Sequence, residues 1–248
     1  MKDILFISPN NARNIYQNLS TKYSAIEPPT WALLLSESCR SKGFSVAILD
    51  CLAENLSADE SYKRILEINP RIICFVVYGQ NVNAGTTNMS GATYLSSYLK
   101  EKNVVQPICF VGSHIQALPV ETLNKEKSID IGLCNEGVYS IWNLLKIRNF
   151  NFENLKKIKG IVFRSKNEIV VNEPEVVVPQ ERMDIDLPGY AWDLLPKHKK
   201  PLDLYRSPMW HAEYDEDKRS PYAALQSSLG CQFKCDFCMI NIINRNDN

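Results

Sequence analysis

Three cysteines, Cys231, Cys235 and Cys238, stand in the run Gly230-Cys-Gln-Phe-Lys-Cys-Asp-Phe-Cys238 with Cys-x3-Cys-x2-Cys spacing, and an aromatic, Phe237, directly precedes the last. Thiolates are soft ligands suited to iron–sulfur clusters and to zinc. Three of them on one short loop can hold three irons of a four-iron cluster and leave the fourth open. An open iron can bind a substrate or cofactor, which a fully ligated electron-transfer cluster cannot do. Bacterial ferredoxins space their first three cysteines two apart and follow with a fourth, and plant-type ferredoxins use a longer first gap. Structural zinc sites usually take two paired units. This loop offers one odd triplet with no later cysteine in the chain. The competing readings are a zinc site, which needs His211 or another fourth ligand, and three unrelated thiols.

The elements that must position this loop lie upstream. Tyr222–Ser228 reads as a strand that delivers the chain to Gly230. Earlier, short apolar runs alternate with helical patterns. Ile4–Ile7 reads as a strand; Trp31, Leu34, Leu35, Ser38 and Cys39 keep helical spacing, with Gly43 as the stop. Phe44–Leu49 is the next strand, Asp59–Ile68 a helix closed by Pro70, and Ile72–Val77 a nearly all-apolar strand, as one buried on both faces should be. Ala92, Leu95, Ser96 and Leu99 share a helical face; Ile108–Val111 and Ile129–Leu133 are strands, and Val138–Leu145 is a helix. This alternation predicts a doubly wound, parallel, five-stranded α/β sheet with right-handed crossovers.

Ligands of such sheets sit outside the carboxyl ends of the strands. The residues expected there are Pro9 and Asn10; Asp50 and Cys51; Tyr78, Gly79 and Gln80; Gly112, Ser113 and His114; and Asn135, Glu136 and Gly137. Small and polar types suit close approach of a ligand to backbone; they also suit plain turns. Ser8-Pro9-Asn10-Asn11 lacks the glycine pattern of a dinucleotide site.

Composition narrows the classes further. The 248 residues carry 28 basic and 28 acidic side chains, so no global charge attracts nucleic acid. Lys156, Lys157 and Lys159 read as a solvated face. The apolar start is far shorter than a signal segment, and no stretch reaches a membrane span. Cys39, Cys74 and Cys109 fall inside apolar patterns, as small buried residues do, and the reading is a reducing, cytoplasmic setting. Residues 148–200 read as a connector: a hairpin of Gly160–Arg164 and Glu168–Val171 about Ser165-Lys-Asn167, then an extended path through Pro174, Pro179, Pro188 and Pro196 with Trp192 as a packing anchor. Tyr205, Met209, Trp210, His211 and Tyr214 follow, as an approach to a site or a cap.

The triplet and its aromatic resemble the signature of the radical S-adenosylmethionine enzymes. In that family the open iron holds the amino and carboxylate groups of the methionine part, and the reduced cluster cleaves the sulfonium to a 5′-deoxyadenosyl radical. Pro28-Pro29 before the first helix, the strand ending at Asp50, Asn69-Pro70, Gly112-Ser113-His114, Pro119 with Glu121-Thr-Leu, and Asn135-Glu136-Gly137 resemble, in series, the cobalamin-binding domain of one subgroup. The family's fourth turn often reads Gly-Gly-x-His, and here one glycine is replaced; of its Gly-Glu-Gly-Glu turn only Glu136-Gly137 remains. No histidine stands in the Asp-x-His-x-x-Gly motif that supplies a lower axial ligand, so cobalamin would bind without it.

The resemblance implies a cobalamin-binding Rossmann-like domain over 1–147, a linker over 148–200, and the start of a radical (β/α) barrel over 201–248, truncated because only ten residues follow Cys238, Asn241, Asn244, Asn246 and Asn248 among them. It implies a [4Fe-4S] cluster on Cys231, Cys235 and Cys238, S-adenosylmethionine at Phe237, and cobalamin near Pro9, Asn10, Tyr78, Gly79, Gly112, Ser113, His114, Glu136 and Gly137. It further implies methylation or rearrangement of an unactivated carbon of a small-molecule or natural-product substrate, a flavodoxin or ferredoxin reductant, and neither nucleic acid nor membrane as partner. A non-catalytic corrinoid-binding module with a vestigial cluster loop is the rival reading.

Overall fold

The computed structural model describes residues 1–11, 17–20, 22–79, 82–166, 168–231, 233 and 235–240, the side chains of 18 and 82–84 excepted. Gln80, Asn167 and the polar segment 241–248 lie outside the described residues.

One seven-stranded sheet organises the chain, in the order β2-β1-β3-β4-β5-β6-β7. Its strands are β1 (Lys2–Ser8), β2 (Val46–Asp50), β3 (Pro70–Val77), β4 (Ile108–Gly112), β5 (Ile131–Leu133), β6 (Ile161–Ser165) and β7 (Glu168–Val171). The first five pair in parallel, as the alternating pattern requires. The expected hairpin forms, and it lies in the sheet: β6 pairs antiparallel with β5 through Ile131↔Phe163, and β7 with β6. The sheet thus continues past residue 147. Val162 and Phe163 are fully buried, and an apolar strand of this kind caps an otherwise open parallel edge.

Helices cover both faces. On one side lie α1 (Thr30–Ser41) and α6 (Val138–Lys146), which pack Trp31, Leu35, Ile141 and Leu145 against Phe6, Cys74 and Val111. On the other lie α2 (Ala58–Ile68), α3 (Met89–Glu101), α4 (Ser113–Ala117) and α5 (Pro119–Lys125), around Leu5, Phe75 and Phe110. Two short helices, α7 (Phe152–Leu155) and α8 (Met183–Asp186), belong to the later chain. Cys39, Cys74 and Cys109 are buried thiols, as their apolar contexts predict. Helix α2 begins with a reciprocal capping box between Ser57 and Glu60, of a kind worth about 1 kcal/mol. The Gly112-Ser113-His114 turn is a correction: Ser113 and His114 open helix α4, because Gly112 caps it and Pro119 at once starts the next.

The chain after β7 wraps the α1 and α6 face. Asp186, almost fully buried, accepts hydrogen bonds from Arg182 (2.9 and 3.0 Å), Lys42 (3.0 Å) and Tyr139 (2.9 Å), which holds its carboxyl down at about 2, chiefly through Arg182. Trp192 stacks on Tyr190 at 5.2 Å, and both pack over Leu33 and Tyr205. Arg219, 3% exposed, donates to the carbonyls of Ser207, Lys22 and Ser24, stitching residues 207–219 to the segment before α1.

Tyr222–Ser228 is not a ladder strand, contrary to the sequence reading. Its side chains do alternate: Tyr222, Ala224 and Gln226 are half-buried, while Ala223, Leu225 and Ser227 face solvent. The period-two pattern was read correctly, but a strand also needs a neighbour to take its backbone groups. Here the Tyr190 hydroxyl serves Gln226 alone, accepting from its N–H at 2.8 Å and donating to its carbonyl at 3.1 Å.

Candidate functional site

Five parallel strands aim their carboxyl ends at one edge, and the reversal of strand order between β1 and β3 opens a crevice there. Side chains from several strand ends bridge it. The Asn11 carboxamide donates to Asn88 Oδ1, and Asn88 Nδ2 donates to the Tyr78 carbonyl at 2.8 Å, so an amide relay crosses from the end of β1 to the end of β3. The Trp31 and Tyr78 rings lie 5.3 Å apart. Trp31 Nε1 donates to the Glu136 carbonyl (3.2 Å) and the Tyr78 hydroxyl to the Asn135 carbonyl (3.2 Å), which ties in the end of β5.

Of the residues expected at this edge, Pro9 and Asn10 follow β1, Tyr78 and Gly79 follow β3, Gly112 ends β4 with Ser113 next, and Glu136 and Gly137 lie in the turn after β5. Glu136 is 3% exposed; its Oε2 accepts from the Val178 N–H at 2.8 Å, and burial raises its pKa. Its carboxylate therefore faces the connector. His114 is half-buried on α4. Desolvation lowers its pKa, Lys125 lowers it further, and Glu126 opposes, so its charged neighbours belong to the end of α5. Asp50, 1% exposed at the end of β2, accepts from the Tyr205 hydroxyl (2.9 Å) and the Ala53 N–H (3.1 Å). Burial nonetheless pushes its pKa up to about 6. Tyr205 is fully buried, so this residue seats the connector on the strand ends.

The end of β4 is the most tightly drawn part. Gly112 has φ +154°, and a Cβ there would lie 2.2 Å from the Val77 carbonyl oxygen. Across from it, a Cβ on Gly85 would meet Ser113 Oγ at 2.4 Å. Ser113 is 1% exposed, and its hydroxyl has no hydrogen-bond partner among the described residues. Glycine at 112 thus lets β4 close on the Val77 backbone of β3, and the orphaned Ser113 hydroxyl is the polar group left there for a ligand to satisfy.

A cleft of about 390 Å³ opens beside the β1 end, between α2 and α3. Asn10, Asn11, Asn55, Ser57, Glu60 and Tyr94 contribute to its walls. Asn11, Asn55, Asn88 and Trp31 were not singled out as site residues in the sequence. A run of two asparagines after β1 was the available signal.

The cysteine loop lies beyond the docked 222–229 segment, whose Leu229 packs on the α1 and α6 core. Cys231 and Cys235 are exposed and Cys238 is half-buried. The Cys238 N–H donates to the Cys235 carbonyl at 3.0 Å. Phe233 and Phe237 are exposed, Phe237 at 82%. Among the described residues, no three histidine, cysteine or acidic side chains are gathered at metal-binding spacing. The loop therefore fits a thiolate-ligated cluster by its donor set and accessibility, and its three sulfurs would have to converge on binding. Among the described residues no helix is long and apolar enough to cross a membrane.

No family model matches the chain. It is 28% identical over 211 residues to an uncharacterized methyltransferase of Pyrococcus horikoshii, a match that spans 85% of this chain and 40% of that protein. Among solved structures it is similar to the cobalamin-dependent S-adenosylmethionine radical enzyme OxsB with aqua-cobalamin and S-adenosylmethionine bound, with a TM-score of 0.56 and 15% identity, covering 78% of this chain and 24% of OxsB. It is also similar to the radical S-adenosylmethionine methyltransferase TsrM of Kitasatospora setae with cobalamin and a [4Fe-4S] cluster bound, with a TM-score of 0.51 and 15% identity, covering 81% and 32%. At that identity the likeness is one of fold. The chain spans well under half the length of each of these proteins.

Proposed function

We propose that this chain carries the cobalamin-binding domain and the cluster loop of a radical S-adenosylmethionine methyltransferase, or of an enzyme that rearranges an unactivated carbon. The observation that carries the reading is three free thiols, Cys231 and Cys235 exposed and Cys238 half-buried, on a loop whose approach is bonded through Gln226 to Tyr190 of the connector, which Tyr205 seats on the carboxyl end of β2. The fold likeness to OxsB and TsrM supports it.

In this reading the three thiolates hold the cluster and leave one iron open. Phe237 lies by S-adenosylmethionine, chiefly through its backbone. Pro9, Asn10, Tyr78, Gly79, Gly112, Ser113, His114, Glu136 and Gly137 form the corrinoid edge, with Ser113 gaining the hydrogen bond it lacks. The bound groups would supply reductive cleavage of the sulfonium and a transferable methyl group. The protein's own part is to exclude water, orient the cofactors, and keep the connector seated through Tyr205 and Asp50. A small-molecule substrate and a flavodoxin or ferredoxin reductant complete the proposal.

The rival, a corrinoid-binding module with a vestigial loop, is favoured by one observation: the three thiols are not gathered. Iron and sulfide analysis after anaerobic reconstitution separates the two. Cys235→Ala is expected to lose the cluster while its circular dichroism stays that of the wild type, because Cys235 is exposed and outside the core. Equal iron and sulfide in both proteins would overturn the ligand assignment.

A further inference from the structure

We propose that the cleft between α2 and α3 is a subsite for the neutral carboxamide arms on the rim of a corrin ring; this rests on the corrinoid reading above. The cleft adjoins Asn10 at the end of β1, so a macrocycle lying on the strand ends overhangs it. Its volume, about 390 Å³, exceeds what a few water molecules need and suits short side arms rather than a whole macrocycle.

The chemistry of the walls selects the occupant. Carboxamides (Asn10, Asn11, Asn55) and the Tyr94 hydroxyl provide both donors and acceptors. Glu60 is the one charged side chain among the described lining residues. The N-terminus of α2 opens here, and a free helix N-terminus would attract phosphate or carboxylate. That attraction is already met: Glu60 Oε2 accepts from the Ser57 N–H at 2.8 Å and from the Ser57 hydroxyl at 2.6 Å. A second anion would meet a carboxylate, whereas a neutral amide meets only partners.

The geometry also holds the walls at a fixed distance. Gly91 brings α3 against the loop after β1, where a Cβ would lie 2.6 Å from the Asn10 carbonyl oxygen. Asn55 holds φ +51°, and its Oδ1 accepts a long bond, 3.4 Å, from Asn10 Nδ2. A bond of that length exchanges easily for a ligand amide. Tyr94, 65% exposed, forms the outer rim.

The test is a visible-absorption titration of the full chain with hydroxocobalamin, cobinamide and cobyrinic acid. Cobinamide keeps the amide arms and lacks the nucleotide; cobyrinic acid ends its arms in carboxylates. Asn55→Asp keeps a residue type that tolerates the left-handed backbone and keeps the acceptor for Asn10, but removes the donor and adds charge. It is expected to weaken cobalamin and cobinamide alike, by about tenfold, the loss of roughly one hydrogen bond. Tyr94→Ala is expected to weaken both by a few-fold. Glu60→Gln keeps the capping box and should tighten cobyrinic acid alone, by at least about threefold. Unchanged affinity in all three variants, with the wild type still binding cobalamin, overturns the subsite and leaves the corrinoid reading standing. Weakening of cobalamin without cobinamide places the nucleotide in the cleft and overturns the assignment to the arms. A wild type that binds no corrinoid overturns both.

Discussion

Replacing Asp186 with Asn should loosen the connector from the sheet by an amount that can be worked from its surroundings. The Asp186 carboxylate is 2% exposed and takes hydrogen bonds from Arg182, Lys42 and Tyr139, while its backbone carbonyl accepts from Ser38 at 2.6 Å. Its pKa falls from 3.8 to about 2, with the Arg182 bonds as the largest cause. At about 1.4 kcal/mol per unit, the charged form is stabilised by about 2 kcal/mol relative to the unfolded chain. The folded value is the lower one. The contribution is therefore complete above the unfolded value and is lost as pH falls from about 4 towards 2. Asn keeps one acceptor for Arg182 and none of the charge, so Asp186→Asn should lower unfolding free energy by about 2 kcal/mol at pH 7. In urea, with a slope of about 2 kcal/mol per molar, the midpoint should drop by about 1 M. Circular dichroism through the urea transition at several pH values is the assay. The gap between variant and wild type should narrow below pH 4. An unchanged midpoint at pH 7, or a gap that widens on acidification, would refute the reasoning.

Asp50 makes the opposite pH prediction in a different window. Its folded pKa, about 6, lies above the ordinary value of 3.8, so its contribution is full below about 4 and is lost as pH rises through 6. Asp50→Asn should remove that slope, worth about 3 kcal/mol by the same conversion, and leave the variant the more stable protein at pH 8 in the same urea assay. Gly112→Ala places a methyl 2.2 Å from the Val77 carbonyl oxygen in a backbone region open to glycine, so it should cost at least about 2 kcal/mol or abolish folding, read as soluble yield and urea midpoint. Arg219→Ala removes three bonds to carbonyls at 2.7–2.8 Å and should expose residues 22–27 and 207–219 to limited proteolysis while the sheet remains protected from hydrogen exchange.

Much of this fold can be read from apolar periodicity because the parallel strands are buried on both faces. Ile72–Val77 and Ile108–Val111 announce themselves as strands and need no context. The hairpin could be read too, but its membership of the main sheet could not. Pairing of β5 with β6 depends on the space left beside Ile131–Leu133, which no local pattern records. Short helices α4 and α5 were hidden for a related reason: Gly112, Ser113 and Pro119 are turn residues in most settings and act here as helix starts. Tyr222–Ser228 failed in the other direction, since alternation shows which side chains turn inward and says nothing of whether a neighbouring strand exists. At the site, small residues at strand ends were found because topology alone brings them to one edge. Trp31, Asn88 and Asn55 were not, since their roles arise from contacts across tens of residues, as in the Asn11–Asn88 pair and the Trp31–Tyr78 stack. Tyr205 was noted as an aromatic near the loop, and its seat on Asp50 became visible only when the connector folded back over the sheet.

We propose above that one chain holds a corrinoid on its strand ends and a cluster on its cysteine loop. Anaerobic reconstitution with iron, sulfide and hydroxocobalamin, followed by metal analysis and visible absorption, tests it most directly. About four irons per chain with a broad charge-transfer band, together with stoichiometric corrinoid, are expected. Zinc alone, with neither iron nor corrinoid retained, would contradict it.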